Sequence, residues 1–414
     1  MKHPFIRTAL AVAVLSTLSA AAHAEMSVEE RLKAMETRLN ALETENQALK
    51  GKLKATEQKV EAASEQLDKV ATAAPASKAS WADKTSLGGY GELHYNQLDG
   101  KGGASGKDEF DFHRFVLFLG HQFNERTRFF SELEVEHSFF NSSSGKGELE
   151  LEQAYVEFDL NDNHSAKAGL FLIPVGIINE THEPPTFYGV ERNPVEGAII
   201  PTTWWAGGVG LSGKLGGGFS YDLAVHEGLS TNNNVNGSTT NKYAIRAGRQ
   251  KTSEARASDL ATTARLKWTG IPGLELAASF QHQGDITQGL DPKAGSANLY
   301  ELHGVFNKGP FGLRALYAQW NLDGSGPAAI GADKQLGWYV EPSFRISEQW
   351  GVFARYNEWD NQAGISGNTG KQQSNVGVNF WPHPDVVLKA DYQKQDNEDG
   401  KNQDGFNLGV GYQF

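Results

Sequence analysis

The stretch Gly405-Phe406-Asn407-Leu408-Gly409-Val410-Gly411-Tyr412-Gln413-Phe414 decides the fold. Phe406, Leu408, Val410, Tyr412 and Phe414 alternate strictly with Asn407, Gly409, Gly411 and Gln413. Period-2 alternation defines a β-strand with one apolar and one polar face. In a soluble sandwich a second layer covers the apolar face. In a membrane barrel that face meets lipid, and the polar face meets a wet interior. The stretch alone permits both, so the preceding chain must choose.

Sixteen alternating segments are centred on 89–96, 110–123, 126–135, 151–160, 165–175, 204–215, 219–227, 260–268, 274–282, 299–306, 311–320, 336–346, 350–360, 374–381, 386–393 and 406–414. The second and fourth are ragged. Short turns such as Asn124-Glu125 and 216–218 take every second connection, and long Gly/Asn/Ser/Asp loops take the others. A sandwich gives no reason for that sorting, whereas outer-membrane barrels have short periplasmic turns and long extracellular loops. Trp268, Trp350 and Trp381 lie at short-turn ends; Trp204, Trp205, Trp320 and Trp359 lie at long-loop ends. This spacing predicts two aromatic belts at the headgroup levels. The fold class expected is therefore an all-β membrane protein, a 16-stranded antiparallel transmembrane β-barrel over 86–414, preceded by a periplasmic α-helical coiled coil. No run approaches the roughly 18 apolar residues of a membrane helix. A mean hydropathy of −0.47 is compatible with strands that are apolar on one face only.

Residues 1–24 read as a signal peptide: Lys2 and Arg7, an apolar stretch from Ala9 to Leu18, then Ala22-His23-Ala24. Their removal takes the net charge from −12 to −14, so nucleic acid is not an expected partner. Zero Cys excludes disulfides and thiolate chemistry. Over 25–70 the period changes to that of a coiled coil. Leu32, Leu39, Asn46, Leu53, Val60 and Leu67 take the a positions of an oligomerisation stripe. A parallel register pairs Arg31 with Glu36, Arg38 with Glu43, Glu45 with Lys50 and Lys52 with Glu57, all of opposite sign. The stripe leaves dimer or trimer open, and Ala/Ser-rich residues 71–85 read as a linker.

Sixteen strands enclose an aqueous channel. Alternation assigns Arg114, Arg128, Glu132, Glu134, Lys167, Arg265, Lys267, Glu275, Arg314, Glu341, Arg345, Arg355 and Lys389 to its lining. On the lipid face a basic side chain costs about 2–4 kcal/mol near mid-bilayer.

Ending on Phe after such a strand resembles the C-terminal signature of bacterial outer-membrane barrels. The segments 169–176 and 207–213, with Glu191-Arg192 and Ile200-Pro201 between them, resemble the phosphate-selective porin O and P family. The resemblance implies a trimeric porin of the outer membrane, bound to lipid, passing small hydrophilic or ionic solutes. It also implies that loop 177–203 folds into the lumen as the constriction, with Glu180, Glu183, Glu191, Arg192 and Glu196 on it. Four acids against one base depart from an anion trap. The next loop carries Lys242, Arg246, Arg249, Lys251 and Arg256, and would restore anion preference if it also folded inward.

Gly208-x-Gly210-x-x-Gly213 lies within a strand and lacks the βαβ setting of a dinucleotide site. Its glycines instead suggest a close approach of the inserted loop. The scattered His residues suggest no zinc motif, and no cofactor or enzymatic activity is expected. Two alternatives remain from residues alone: a barrel enzyme, and an envelope tether that uses the barrel as anchor.

Overall fold

The structure, a computed structural model, describes residues 80–139, 147–231 and 242–414, together with Lys33. The coiled-coil and signal-peptide expectations lie outside the described residues.

Sixteen strands close into one antiparallel barrel: β1 (Thr85–Lys101), β2 (Lys107–Asn124), β3 (Thr127–Glu136), β4 (Leu149–Asn161), β5 (His164–Leu172), β6 (Trp205–Gly216), β7 (Phe219–His226), β8 (Ala261–Ile271), β9 (Leu274–Gln283), β10 (Ala297–Lys308), β11 (Phe311–Leu322), β12 (Lys334–Arg345), β13 (Trp350–Asp360), β14 (Lys371–His383), β15 (Val386–Gln395) and β16 (Asn402–Gln413). Each strand pairs with the next, and β16 returns to β1 from Tyr90 opposite Gln413 to Lys101 opposite Asn402. Closure leaves no open edge, so every strand satisfies its backbone on both sides within hydrocarbon. The short turns rely on glycine where φ is positive, as at Gly216, Gly217 and Gly218. The expected linker ends earlier than 85: Ser80 caps a 3-10 turn, Trp81–Lys84, and β1 begins at Thr85.

The outer face carries an apolar band that includes Leu117, Leu133, Leu266, Leu302, Leu313, Val376, Leu408 and Val410, all exposed. The inner face is unequal around the circumference. On β1 to β4 it carries charge: Glu92, Arg114, Glu132, Glu134 and Glu152 are buried inside. On β10 to β12 it carries an apolar patch, with Leu299, Leu316, Ala318, Trp320 and Tyr339 in a hydrophobic cluster beside buried Glu301, His303 and Glu341. That cluster also takes in Ile173, Val175, Val195, Ile199, Ile200, Leu229, Tyr243 and Ile245 from two long loops. The molecule's core thus sits inside the barrel, between wall and inserted loops.

The aromatic-belt expectation needs correction. Trp350 is exposed on the outside at a short-turn end, but Trp204, Trp205, Trp320, Trp359 and Trp381 are buried. Position along a strand sets depth, whereas parity sets the face: it turns Trp320, Trp359 and Trp381 inward, and Trp204 lies in the loop before β6. Trp204 and Trp320 lie 6.2 Å apart within the internal core.

Candidate functional site

The loop between β5 and β6, residues 173–204 (L3), turns into the lumen. Asn179 holds its neck together. Its amide donates to Ile173 O at 2.8 Å and Trp204 O at 3.0 Å, and its carbonyl accepts from Trp204 N at 2.7 Å. Glu196 anchors the middle: it accepts from the Ile177 and Ile178 amides, both at 2.8 Å, and Tyr339 Oη lies 2.7 Å away. Burial lifts the Glu196 carboxyl above its ordinary value, against the bonds from Ile178, Tyr339 and Asn193. Trp320 Nε1 donates to Ile199 O at 3.0 Å.

Several inward charges are spent on holding L3. Arg314 donates to Thr186 O at 2.8 Å, Arg114 to His182 O at 3.3 Å, and Arg355 to Glu191 O at 3.2 Å. Arg355 also meets Glu341 at 3.3 Å. Lys389 Nζ lies over the Phe187 ring, 3.6 Å from its centre, and Arg345 over Trp381 at 3.9 Å. Others pair along the wall. Arg128 meets Glu157 and Asp159, Arg265 meets Asp222 at 2.8 Å, and Lys267 lies 3.7 Å from Glu275. Lys167 sits over Phe171 and Tyr155. Glu132 accepts from Gln153 at 2.7 Å.

Of the loop charges expected to act together, Glu191, Arg192 and Glu196 border one cavity, and Glu180 and Glu183 border a second. Glu180 pairs with Arg265, and Glu191 Oε1 accepts from Asn96 at 3.0 Å beside His94 at 3.2 Å. Glu183 borders a separate cavity with Glu132 and Lys167, and the Glu196 side chain is fully buried. Arg192 donates to Thr203 Oγ1 at 2.9 Å.

The loop between β7 and β8, residues 227–260 (L4), also folds inward over its described parts. Arg246 donates to Thr202 O at 2.7 Å, and Arg249 to Thr203 O. Lys251 bridges Glu148, at 2.5 Å, and Glu150. Lys242 pairs with Asp291 at 2.6 Å. Arg192, Arg246, Arg249 and Lys251 then line one cavity of about 580 Å³ with Glu134, Glu136, Glu148, Glu150 and Glu152. Of those five acids, alternation picked out only Glu134. Glu152 escaped because a β-bulge between Glu132 and Leu133 leaves it as an extra residue in β4, the strand whose alternation is ragged.

Glycines that admit L3 also differ from expectation. A Cβ on Gly208 would meet neighbouring strand atoms of Val225 and His226. One on Gly411 would lie 2.3 Å from Pro184, and one on Gly337 3.0 Å from Val195.

A closed sixteen-strand barrel with an apolar exterior, a charged interior and an inserted loop defines an outer-membrane channel for passive diffusion. The sequence pattern of the family described as "Phosphate-selective porin O and P" matches residues 86–414, and the chain belongs to that family. It is therefore a porin rather than an enzyme. An uncharacterized protein of Aquifex aeolicus (strain VF5) is 31% identical over 377 residues, covering 82% of each chain. Among solved structures, the anion-selective porin from Comamonas acidovorans has TM-score 0.55 at 13% identity, covering 80% of this chain and 99% of that one. The in-vitro folded OmpT of Vibrio cholerae, described in its trimer form, has TM-score 0.51 at 10% identity, covering 80% and 99%. At these identities the two solved structures share the fold.

Proposed function

We propose that the channel is constricted where L3 and L4 meet the β3–β4 wall, and that it passes small hydrophilic solutes along two facing rows of opposite charge. The single observation behind this reading is the cavity shared by Arg192, Arg246 and Arg249 on one side and Glu134, Glu136 and Glu152 on the other. Low-dielectric walls strengthen each charge relative to bulk water. Both signs line the cavity with carboxylates in the majority, so cation preference is modest and dipolar solutes are favoured. The test is the reversal potential of single channels in a salt gradient, with phosphate then added to both sides. A small reversal potential and no block by phosphate support the reading.

A second reading follows from Arg192 Nε and Nη2 and Arg249 Nε, which are buried without hydrogen-bond partners. These guanidiniums could hold an anion in transit. Steep anion preference with block by phosphate would replace the first reading with this one.

The assembly is a homotrimer whose exposed apolar band contacts outer-membrane lipid, with 25–70 as a periplasmic coiled coil. The a-position stripe from Leu32 to Leu67 and the trimer form of the Vibrio cholerae OmpT support this. A peptide of residues 27–70 should be helical and associate with concentration. A helical monomer at high micromolar concentration would remove that role.

A further inference from the structure

We propose that Glu132, Glu152 and His182 form a binding site for a divalent cation of the zinc type that fastens L3 to the β3–β4 wall. The three side chains come from separate elements and each offers one ligand atom, all within 4.8 Å of one another. His182 Nε2 lies 3.4 Å from Glu132 Oε1 and 3.7 Å from Glu152 Oε2. Tetrahedral zinc with bonds of about 2.0–2.2 Å sets its ligands roughly 3.3–3.6 Å apart.

The histidine is oriented for such a role. Its Nδ1 lies 3.0 Å from Asn179 O, and a carbonyl can only accept, so Nδ1 carries the hydrogen. In the neutral ring Nε2 then presents its lone pair to the two carboxylates. Metal-bound imidazoles commonly make this backing bond to a carbonyl. Among the described residues, no hydrogen-bond partner completes the other side. His182 Nε2, Glu152 Oε2 and the adjacent Glu134 Oε2 are buried and have no hydrogen-bond partner. His182 is 3% exposed, Glu132 1%, Glu152 2% and Glu134 2%.

Charge points the same way. Glu132, Glu134 and Glu152 crowd together, and the nearby Arg114 already commits Nε to Glu92 at 2.6 Å and Nη2 to His182 O. A proton on His182 supplies one positive charge among three carboxylates, whereas a divalent ion supplies two. One imidazole with carboxylates and no thiolate suits zinc. The bulge in β4 is what turns Glu152 toward the histidine. Glu132 and His182 also border a cavity of about 390 Å³ that gives an ion a route in.

The test uses the full chain, purified in detergent, stripped with chelator and titrated with Zn²⁺ against a chromophoric competitor at neutral pH. Folding is followed by heat-modifiable gel mobility. One zinc per chain is expected, with affinity falling by more than about tenfold in H182Q and E152Q. D111N, which breaks the separate Asp111–His113–His137 group, should leave it unchanged. X-ray absorption on the wild-type protein should find one imidazole per zinc, which decides the matter even if a variant fails to fold. No uptake by the wild-type protein, uptake that survives H182Q and E152Q, or two imidazoles per zinc would each overturn the site.

Discussion

Tyr339 on β12 places its hydroxyl 2.7 Å from Oε1 of Glu196 in L3. The same carboxylate receives the amides of Ile177 and Ile178, so one side chain joins both arms of the loop to the wall. Glu196→Ala strands several buried donors at about 1–3 kcal/mol each, whereas Tyr339→Phe removes one bond worth about 0.5–1.5 kcal/mol. We expect Glu196→Ala to give noisier channel currents and protease cleavage within L3, and Tyr339→Phe to do so weakly. Quiet, protease-resistant Glu196→Ala channels would argue against the anchor.

The same residue sets a pH dependence. Its carboxyl is held above the ordinary value of 4.5, chiefly by burial. The folded protein therefore binds this proton more readily than the unfolded chain does. The resulting stabilisation of L3 is complete below that ordinary value and fades as pH rises through the folded value. Current noise in the wild-type channel should rise over that window. Glu196→Gln keeps size and polarity without titrating, so its noise should be flat there.

Selectivity should respond to L4 more than to L3. Arg246→Gln with Arg249→Gln removes two charges from the shared cavity and should move the reversal potential toward cations. Replacing Glu180, Glu183, Glu191 and Glu196 with Gln should move it toward anions by less, because Glu180 is paired with Arg265 and Glu196 is enclosed. Both shifts should shrink in high salt, where exposed charges are screened. A larger effect from the glutamate set would place the constriction on L3 alone.

Gly411 supplies a steric test. Its missing side chain makes room for Pro184, which a Cβ would meet at 2.3 Å. Gly411→Val should push L3 off the β16 wall and change single-channel conductance while leaving the barrel closed. Unchanged conductance with native mobility would show that L3 yields there without consequence.

The barrel was legible because alternation is local: each strand announces its two faces over a few residues. Loop length was legible for the same reason. The interior was harder. Leu299, Leu316, Ala318 and Trp320 are apolar on the inward face, in strands whose outward face is also apolar. That double apolarity is a readable sign that something covers the wall from within. Which residues cover it is a matter of non-local packing, so spacing could not pair Trp320 with Ile199 or Arg355 with Glu191. Parity counting failed at Glu152 because a single bulge reverses it. No motif spacing links His182 to Glu132, which meet only when L3 has entered the barrel.

The closing seam between β1 and β16 fixes the order in which the molecule can assemble. Every other neighbouring pair is a hairpin of consecutive strands, but this one joins distant parts of the chain. L3 touches both margins of that seam: Glu191 accepts from Asn96 on β1, and Pro184 and Val190 lie against Gly411 and Gly409 on β16. Such remote pairings form slowly, since the intervening chain must be confined first. A loop already seated inside would act as a jig, holding the two free margins in register until they pair. Loss of the loop's anchors should therefore delay closure of the cylinder, even where the finished barrel is equally stable.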